Sequence, residues 1–304
     1  MHVAVAIVGY RNLDDIVTCL STLERLEHTR FEVVICENGG AEAYEALVRT
    51  LPTVLAGGQA VTVIAAPRNL GYAGGVNFAI EAAPEADVWW VLNPDTEPQP
   101  GLLTACLARL AKGDCHAVGC TIYLPSGEVQ SHGGRWRSWL ARAVSIGWGD
   151  RVEAPVDAAA VEASQNYLNG ACLLVDRTFM EVVGPMREDY FLYCEEVEWC
   201  LRAQARGVRL GFASDGRCLH HAGTTTGSHR SWRDRPKAPI YLDERNKILV
   251  TRDCFPARLP VTIPAALALI VLRFVPRRAW KQLGYALEGW WAGVRNLRGP
   301  AAFG

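Results

Sequence analysis

The chain has 304 residues, of which 50% are hydrophobic and 21% charged; this excludes a disordered chain, a fibre or a mini-protein and leaves room for one large domain or two ordinary ones. A formal net charge of -1 argues against a nucleic-acid binder, yet it joins unlike parts: residues 257–304 hold seven basic residues against one acid, and residues 1–256 hold 24 basic against 31 acidic. The ten cysteines sit mostly in apolar segments with no CxxC pair or zinc-type spacing, and the start MHVAVAIVGY has no basic leader or cleavage site. Both features predict buried thiols in a reducing compartment and a cytoplasmic protein.

In chain order, residues 3–9 read as a buried strand and 13–26 as a helix with apolar positions 13, 16, 17, 20 and 23. The rhythm repeats with a strand at 31–36, a helix at 41–48, a strand at 61–66, a helix at 75–83 and a strand at 88–92. Such alternation predicts an α/β fold, a mainly parallel sheet with helices on both faces. Ligands of such sheets sit beyond the carboxyl ends of the strands, which singles out Tyr10, Arg11, Glu37, Asn38, residues 68–75 and residues 93–95. After a helix near 101–110 the pattern changes. Residues 117–124 with PSGEVQ predict a hairpin, 131–150 a Gly, Arg and Trp-rich loop over the site, and 165–177 a strand. A helix is expected from near Cys194, then a strand at 208–213 followed by a His and Thr-rich loop.

Several clusters can carry chemistry. Asn93-Pro94-Asp95 ends an apolar strand, and Pro98 and Pro100 keep the next residues extended; Asp95 can ligate a hard cation such as Mg2+ or Mn2+, or cap a turn. In RNLGYAGGVN (68–77), Gly71, Gly74 and Gly75 allow close backbone approach, and the following helix offers its N–H groups to an anion. It is not GxGxxG and does not follow the first strand, so a dehydrogenase is disfavoured; a ligand-free glycine turn is the plain alternative. Glu195, Glu196 and Glu198 crowd a helix start, where the dipole keeps carboxylates ionised for general-base work. Glu198 lies four residues before Arg202 and is assigned to structure, leaving Glu195 and Glu196 as candidates. Of the adjacent His220 and His221, at most one points at a site. Arg230, Arg233, Arg235, Lys237, Arg245 and Lys247, interleaved with Trp232 and Tyr241, suit either a diphosphate or a solvated loop.

The series VAIVGYRN, ICENGG, RNLGYAGGVN, LNPDTEPQPG, NGACLLVDR, EDYFLYCEEVEWCLRAQARG, HHAGTTTG and DERNK resembles the family 2 glycosyltransferases, particularly their rhamnosyltransferase-like branch, over residues 3 to about 250. The resemblance implies a GT-A fold, a nucleotide-diphosphate sugar, a divalent metal and inversion at the anomeric centre. It implies donor contacts from Tyr10, Glu37, Asn38, Arg68, Asn69, Gly71, Gly74, Gly75, Asn93 and Arg245, with Glu37 where the family usually has an Asp that contacts the base. Asp95 matches the last acid of the metal-binding DxD, Asn93 its first place, and His220 the His that helps hold the metal or diphosphate, with Gly223 and Thr225 completing that motif. Glu196 takes the place of the general base beside Glu195, and Arg187 stands where an acid is usual.

The expected organisation is a catalytic domain over 1–250, with a nucleotide-sugar half (1–112) and an acceptor and metal half (113–250), then a basic helical tail over 251–304. In that tail, residues 259–272 form an apolar run of 14 interrupted by Pro260 and Pro264, shorter than the roughly 20 residues a spanning helix needs. Arg273, Arg277, Arg278 and Lys281 with Trp280, Trp290 and Trp291 suit an anionic membrane surface; core-packed helices or an oligomer contact are the alternative. The expectation is an inverting enzyme of cell-surface polysaccharide synthesis, peripheral on the inner face of the cytoplasmic membrane. It would move L-rhamnose from dTDP-rhamnose to a saccharide or lipid-linked acceptor, without a nucleic-acid partner. A silent nucleotide-sugar-binding scaffold and a metal-dependent hydrolase using Asp95, Glu195 and His220 are its rivals.

Overall fold

The computed structural model describes residues 1–222, 227 and 231–301. Strand β1 (Val3–Gly9), helix α1 (Leu13–Leu23), β2 (Phe31–Glu37), α2 (Ala41–Thr50), β3 (Val61–Ala65), α3 (Gly71–Glu81) and β4 (Val88–Leu92) alternate as the apolar pattern requires. There follow β5 (Thr96–Pro98), α4 (Leu102–Leu110), β6 (Ala117–Tyr123), β7 (Val129–Ser131), β8 (Gly134–Arg137), β9 (Arg142–Ser145), α5 (Ala158–Ser164), β10 (Cys172–Asp176), α6 (Arg177–Val183), α7 (Glu195–Ala205) and β11 (Leu210–His220). Helices α8 (Lys237–Cys254), α9 (Leu259–Phe274) and α10 (Trp280–Val294) come last.

The main sheet runs β3-β2-β1-β4-β10-β6-β11-β5, with β7 beside β6. Strands β3, β2, β1 and β4 pair in parallel, as do β6 and β11, while β10 runs antiparallel to both β4 and β6. Ala4, Ala6 and Val8 of β1 enter one core cluster, and Val3, Val5 and Ile7 the other. A strand covered on both faces therefore reads as an unbroken apolar run. Helices α1, α2 and α4 cover one face, and α3, α6, α7 and α8 the other. All ten cysteines are free thiols, nine of them buried.

Three expectations are corrected. Helix α3 begins at Gly71, not Gly75. Glycine lowers helix propensity, which hides the first turn from a pattern reading; here contact requires it, since a Cβ on Gly75 would lie 2.7 Å from Val8 Cγ1. The segment 131–150 holds the hairpin β8–β9, whose Trp136 is buried and whose Gly134 amide bonds the Tyr167 carbonyl. None of its residues lines the large cleft at the strand ends. It lies instead against α9, where Thr262 Oγ1 donates to the Ser138 carbonyl at 2.9 Å. The boundary expected at residue 250 falls inside α8, whose Ile248, Leu249 and Val250 sit in the core cluster of β1 and β4.

Candidate active site

A cleft of about 830 Å3 opens where β1 and β4 end and β10 begins. The antiparallel β10 brings its start beside the end of β4, with Cys172 opposite Leu92 and the Asn93 amide bonded to the Ala171 carbonyl. The pairing of β5 with β11 sets His220 opposite Thr96, next to Asp95.

These two pairings produce the central contact. His220 Nε2 lies 3.3 Å from Asp95 Oδ1. The other ring nitrogen, Nδ1, is 2.8 Å from Gln130 Oε1, an oxygen that can only accept. Nδ1 then carries the proton, and Nε2, which is buried without a hydrogen bond, presents its lone pair beside a carboxylate. A cation relieves that arrangement, so Asp95 and His220 fit a divalent metal. Among the described residues no group of three or more His, Cys, Asp or Glu could hold one. Two protein ligands suit an ion that takes its remaining oxygens from a substrate diphosphate and water.

Glu195 and Glu196 open α7 and also line the cleft. They follow a turn in which Phe191, Tyr193 and Cys194 all have positive φ. Such strain persists only where its surroundings enforce it. Asn246 Nδ2 supplies the restraint by donating to the carbonyls of Tyr190, Leu192 and Tyr193 at 2.9, 2.8 and 2.7 Å. Burial pushes the Glu196 carboxyl up to about 7, helped by the charge of Asp243. Burial and the charge of Glu196 hold Glu195 well above the usual carboxylate range, and its Oε2 has no hydrogen bond.

Half of the candidate donor residues reach the cleft: Tyr10, Asn38, Asn69, Gly71 and Asn93 all line it. Asn38 Nδ2 donates to the Gly71 carbonyl and its Oδ1 accepts from the Leu70 amide, while Asn69 Oδ1 accepts from the Gly71 amide. Others do not reach it. Glu37 is 1% exposed and turns Oε1 onto the amides of Gly39 and Arg11. Arg68 is exposed and does not line the cleft, and Gly74 and Gly75 serve close packing against Leu70 and Val8. Arg245, 1% exposed, donates to the carbonyls of Tyr190 and Gly299. Glu198 pairs with Arg202 at 2.8 Å, the structural role expected of it. Lys247 is held by Asp243 and Glu244, and Arg235 stacks on Trp232, so the basic run is absorbed by local contacts. Gly223, Thr225 and Arg230 lie outside the described residues.

Three residues escaped sequence reasoning. Gln130 sits on a short hairpin strand with no motif around it. Tyr72, whose hydroxyl lies 2.8 Å from Asn93 Oδ1 and from the Gly170 carbonyl, is masked by its neighbouring glycines. Asn246 adjoins Arg245 in DERNK, and helix periodicity carries no sign of its three bonds.

A family model described as glycosyl transferase family 2 matches residues 4–153, the part that supplies β1 to β4, Asp95 and Gln130. Residues 4–153 belong to glycosyltransferase family 2. The chain is 26% identical over 234 residues to the N-acetylglucosaminyl-diphospho-decaprenol L-rhamnosyltransferase of Mycobacterium tuberculosis, covering 68% of the chain and 72% of that protein. It is 22% identical over 139 residues to the low-salt glycan biosynthesis hexosyltransferase Agl10 of Haloferax volcanii, covering 44% of each. Among solved structures, the mannosyltransferase PcManGT from Pyrobaculum calidifontis in complex with GDP-Man and Mn2+ aligns with a TM-score of 0.56 at 15% identity, over 97% of this chain and 87% of that one. TarS of S. aureus in complex with UDP-GlcNAc aligns with a TM-score of 0.55 at 12% identity, over 97% and 92%. At these identities the likeness establishes the fold, a GT-A architecture with C-terminal helices.

Proposed function

We propose that the protein transfers a sugar from a nucleoside diphosphate donor to an acceptor hydroxyl with inversion. One observation carries this reading. The Asp95–His220 pair and the carboxylates Glu195 and Glu196 line the same cleft, and among the described residues no lysine or arginine does. A diphosphate entering such a lining needs a cation partner, and Asp95 and His220 are the residues that would hold Mg2+ or Mn2+. A divalent ion there would supply charge stabilisation to the departing diphosphate.

The chain's own groups account for the rest. Asn38, Asn69 and Gly71 shape the loop beside the donor. The bond from the anomeric carbon to the phosphate oxygen breaks, and its electron pair leaves with the nucleoside diphosphate. The acceptor oxygen bonds to the opposite face of that carbon and gives its proton to Glu196. A carboxyl poised at about 7 suits a base at neutral pH. One displacement inverts the centre.

The donor reading is dTDP-L-rhamnose and the acceptor reading a lipid-linked saccharide of cell-surface glycan synthesis, both supported by the similarity to the mycobacterial L-rhamnosyltransferase. A screen of nucleotide sugars with Mg2+ or Mn2+, reading released nucleoside diphosphate, tests this. Release that is fastest with dTDP-L-rhamnose is the expected result. Release from another donor replaces the sugar, and none from any donor leaves the silent scaffold. A hydrolase would act without any nucleotide.

A further inference from the structure

Helix α9 is apolar both on its buried face and on its exposed one. Thr262, Ala266, Ile270 and Phe274, spaced by four, are buried against the body. The opposite face, with Val261, Pro264, Ala268, Val271 and Leu272, is exposed and wholly apolar, Leu272 at 67%. A surface helix normally turns polar residues outward. Helix α10 packs beside it, with Trp290 Nε1 bonded to the Ile263 carbonyl at 3.0 Å, and adds Trp280 and Trp291, exposed by 61% and 52%. Exposed apolar surface of this kind marks an interface.

Charge names the occupant. Arg277, Arg278 and Lys281 are exposed where α9 ends and α10 starts, in the stretch of the chain that is net positive while the remainder is net negative. Indole rings and basic side chains around an aliphatic face match the boundary between headgroups and acyl chains. With its 3-10 lead-in, the apolar stretch Pro256–Phe274 is 19 residues and long enough by composition to cross a bilayer. Its inner face is nevertheless fixed to protein, and the 16-residue α9 spans about 24 Å at 1.5 Å per residue, short of a hydrocarbon core of about 30 Å.

We propose that the outer face of α9, with Trp280 and Trp291 of α10, docks in the plane of an anionic lipid surface. The geometry also connects this face to the cleft. Arg273 and Phe274, at the end of α9, line a small pocket of about 170 Å3 whose wall includes Tyr193 and Pro239, residues that also line the cleft. Docking thus holds the cleft near the headgroup layer. This bears on the lipid-linked acceptor of the proposed function, but binding itself does not depend on that reading.

The test is sedimentation of the full chain with sucrose-loaded vesicles of phosphatidylcholine alone or with 30% phosphatidylglycerol, without any sugar donor. Binding to the anionic vesicles that weakens at least tenfold in V271E/L272E, and loses its preference for anionic lipid in R277E/R278E, is expected. Circular dichroism of each variant confirms that it is folded, and a second pair, V271S/L272S, should show the same loss in smaller degree. Equal sedimentation of wild type and variants overturns the proposal. So does a lipid-independent dimer that V271E/L272E converts to monomer, which would assign the face to a second copy of the chain. Resistance of bound protein to alkaline carbonate extraction would overturn in-plane docking in favour of spanning.

Discussion

Glu196 is asked to be ionised in a place that disfavours ionisation, and this sets opposite expectations for activity and stability. With its carboxyl raised from 4.5 to about 7, transfer should fall below about pH 7 as the base takes up its proton. Below pH 4.5 the group is protonated in both folded and unfolded chains and has no effect. Between 4.5 and about 7 only the unfolded chain releases the proton, so the contribution to stability falls as pH rises. Glu196→Gln should therefore lose roughly 10^2 to 10^4 of the transfer rate and keep donor binding. The same variant should gain about 1–3 kcal/mol of stability at pH 8, read by urea denaturation. Lost donor affinity with residual transfer would remove Glu196 from the base role. Gln130 makes a separate case. Its Oε1 fixes the His220 tautomer at 2.8 Å, so Gln130→Leu should weaken Mn2+ binding by about 10 to 100-fold, measured by calorimetry. An unchanged affinity would mean that His220 is not a ligand. Asp95, His220 and Glu196 could be singled out as candidates from sequence, by residue type beside a strand end or helix start and by the family resemblance. Gln130 could not, because its role arises only when β7 folds back on β6 and meets β11.

Among elements, the strands were the legible part, since a sheet buried on both faces writes itself as continuous apolar runs in β1, β2 and β4. Helix starts were less so. Gly71 and Gly75 look like a loop because their lack of a side chain serves close approach to Phe191 and Val8, information held by other segments. The chain after α10 is the extreme case. Arg298 pairs with Asp253 at 2.7 Å and with Asp189 at 3.0 Å, Arg187 bridges the same two acids, and the Gly299 amide bonds the Asp189 carbonyl. This clamp sets Pro300 and Ala301 on the wall of the cleft. The departure at Arg187 thus has a structural partner in Asp253 of α8, far along the chain, which no local pattern discloses. Arg298→Ala should release the strap, raising KM for donor or acceptor several-fold with kcat little changed. Both KM values unmoved would show that the strap takes no part in binding.

For the molecule as a whole, the near-zero charge conceals a separation that the fold puts to use. Acids gather at the cleft, and exposed cations gather beside α9 and α10. The cleft should consequently refuse an anion alone. With Asp95 and, at neutral pH, the partly ionised Glu196 lining it, and no basic side chain among the described lining residues, a nucleoside diphosphate meets repulsion until a divalent cation joins it. Metal and nucleotide should then bind as a linked pair, each raising the affinity for the other by the same factor. Thermal unfolding can read this directly. A ligand at 100 times its Kd stabilises by about 2.7 kcal/mol, which for a chain of this size shifts Tm by roughly 4 °C. The expected pattern is a small shift with Mn2+, none with the nucleoside diphosphate, and several degrees with both. Asp95→Asn should abolish the joint shift while leaving the unliganded Tm nearly unchanged. A full shift with the diphosphate alone would mean that cations from elsewhere in the chain neutralise it, and the metal assignment at Asp95 and His220 would fall.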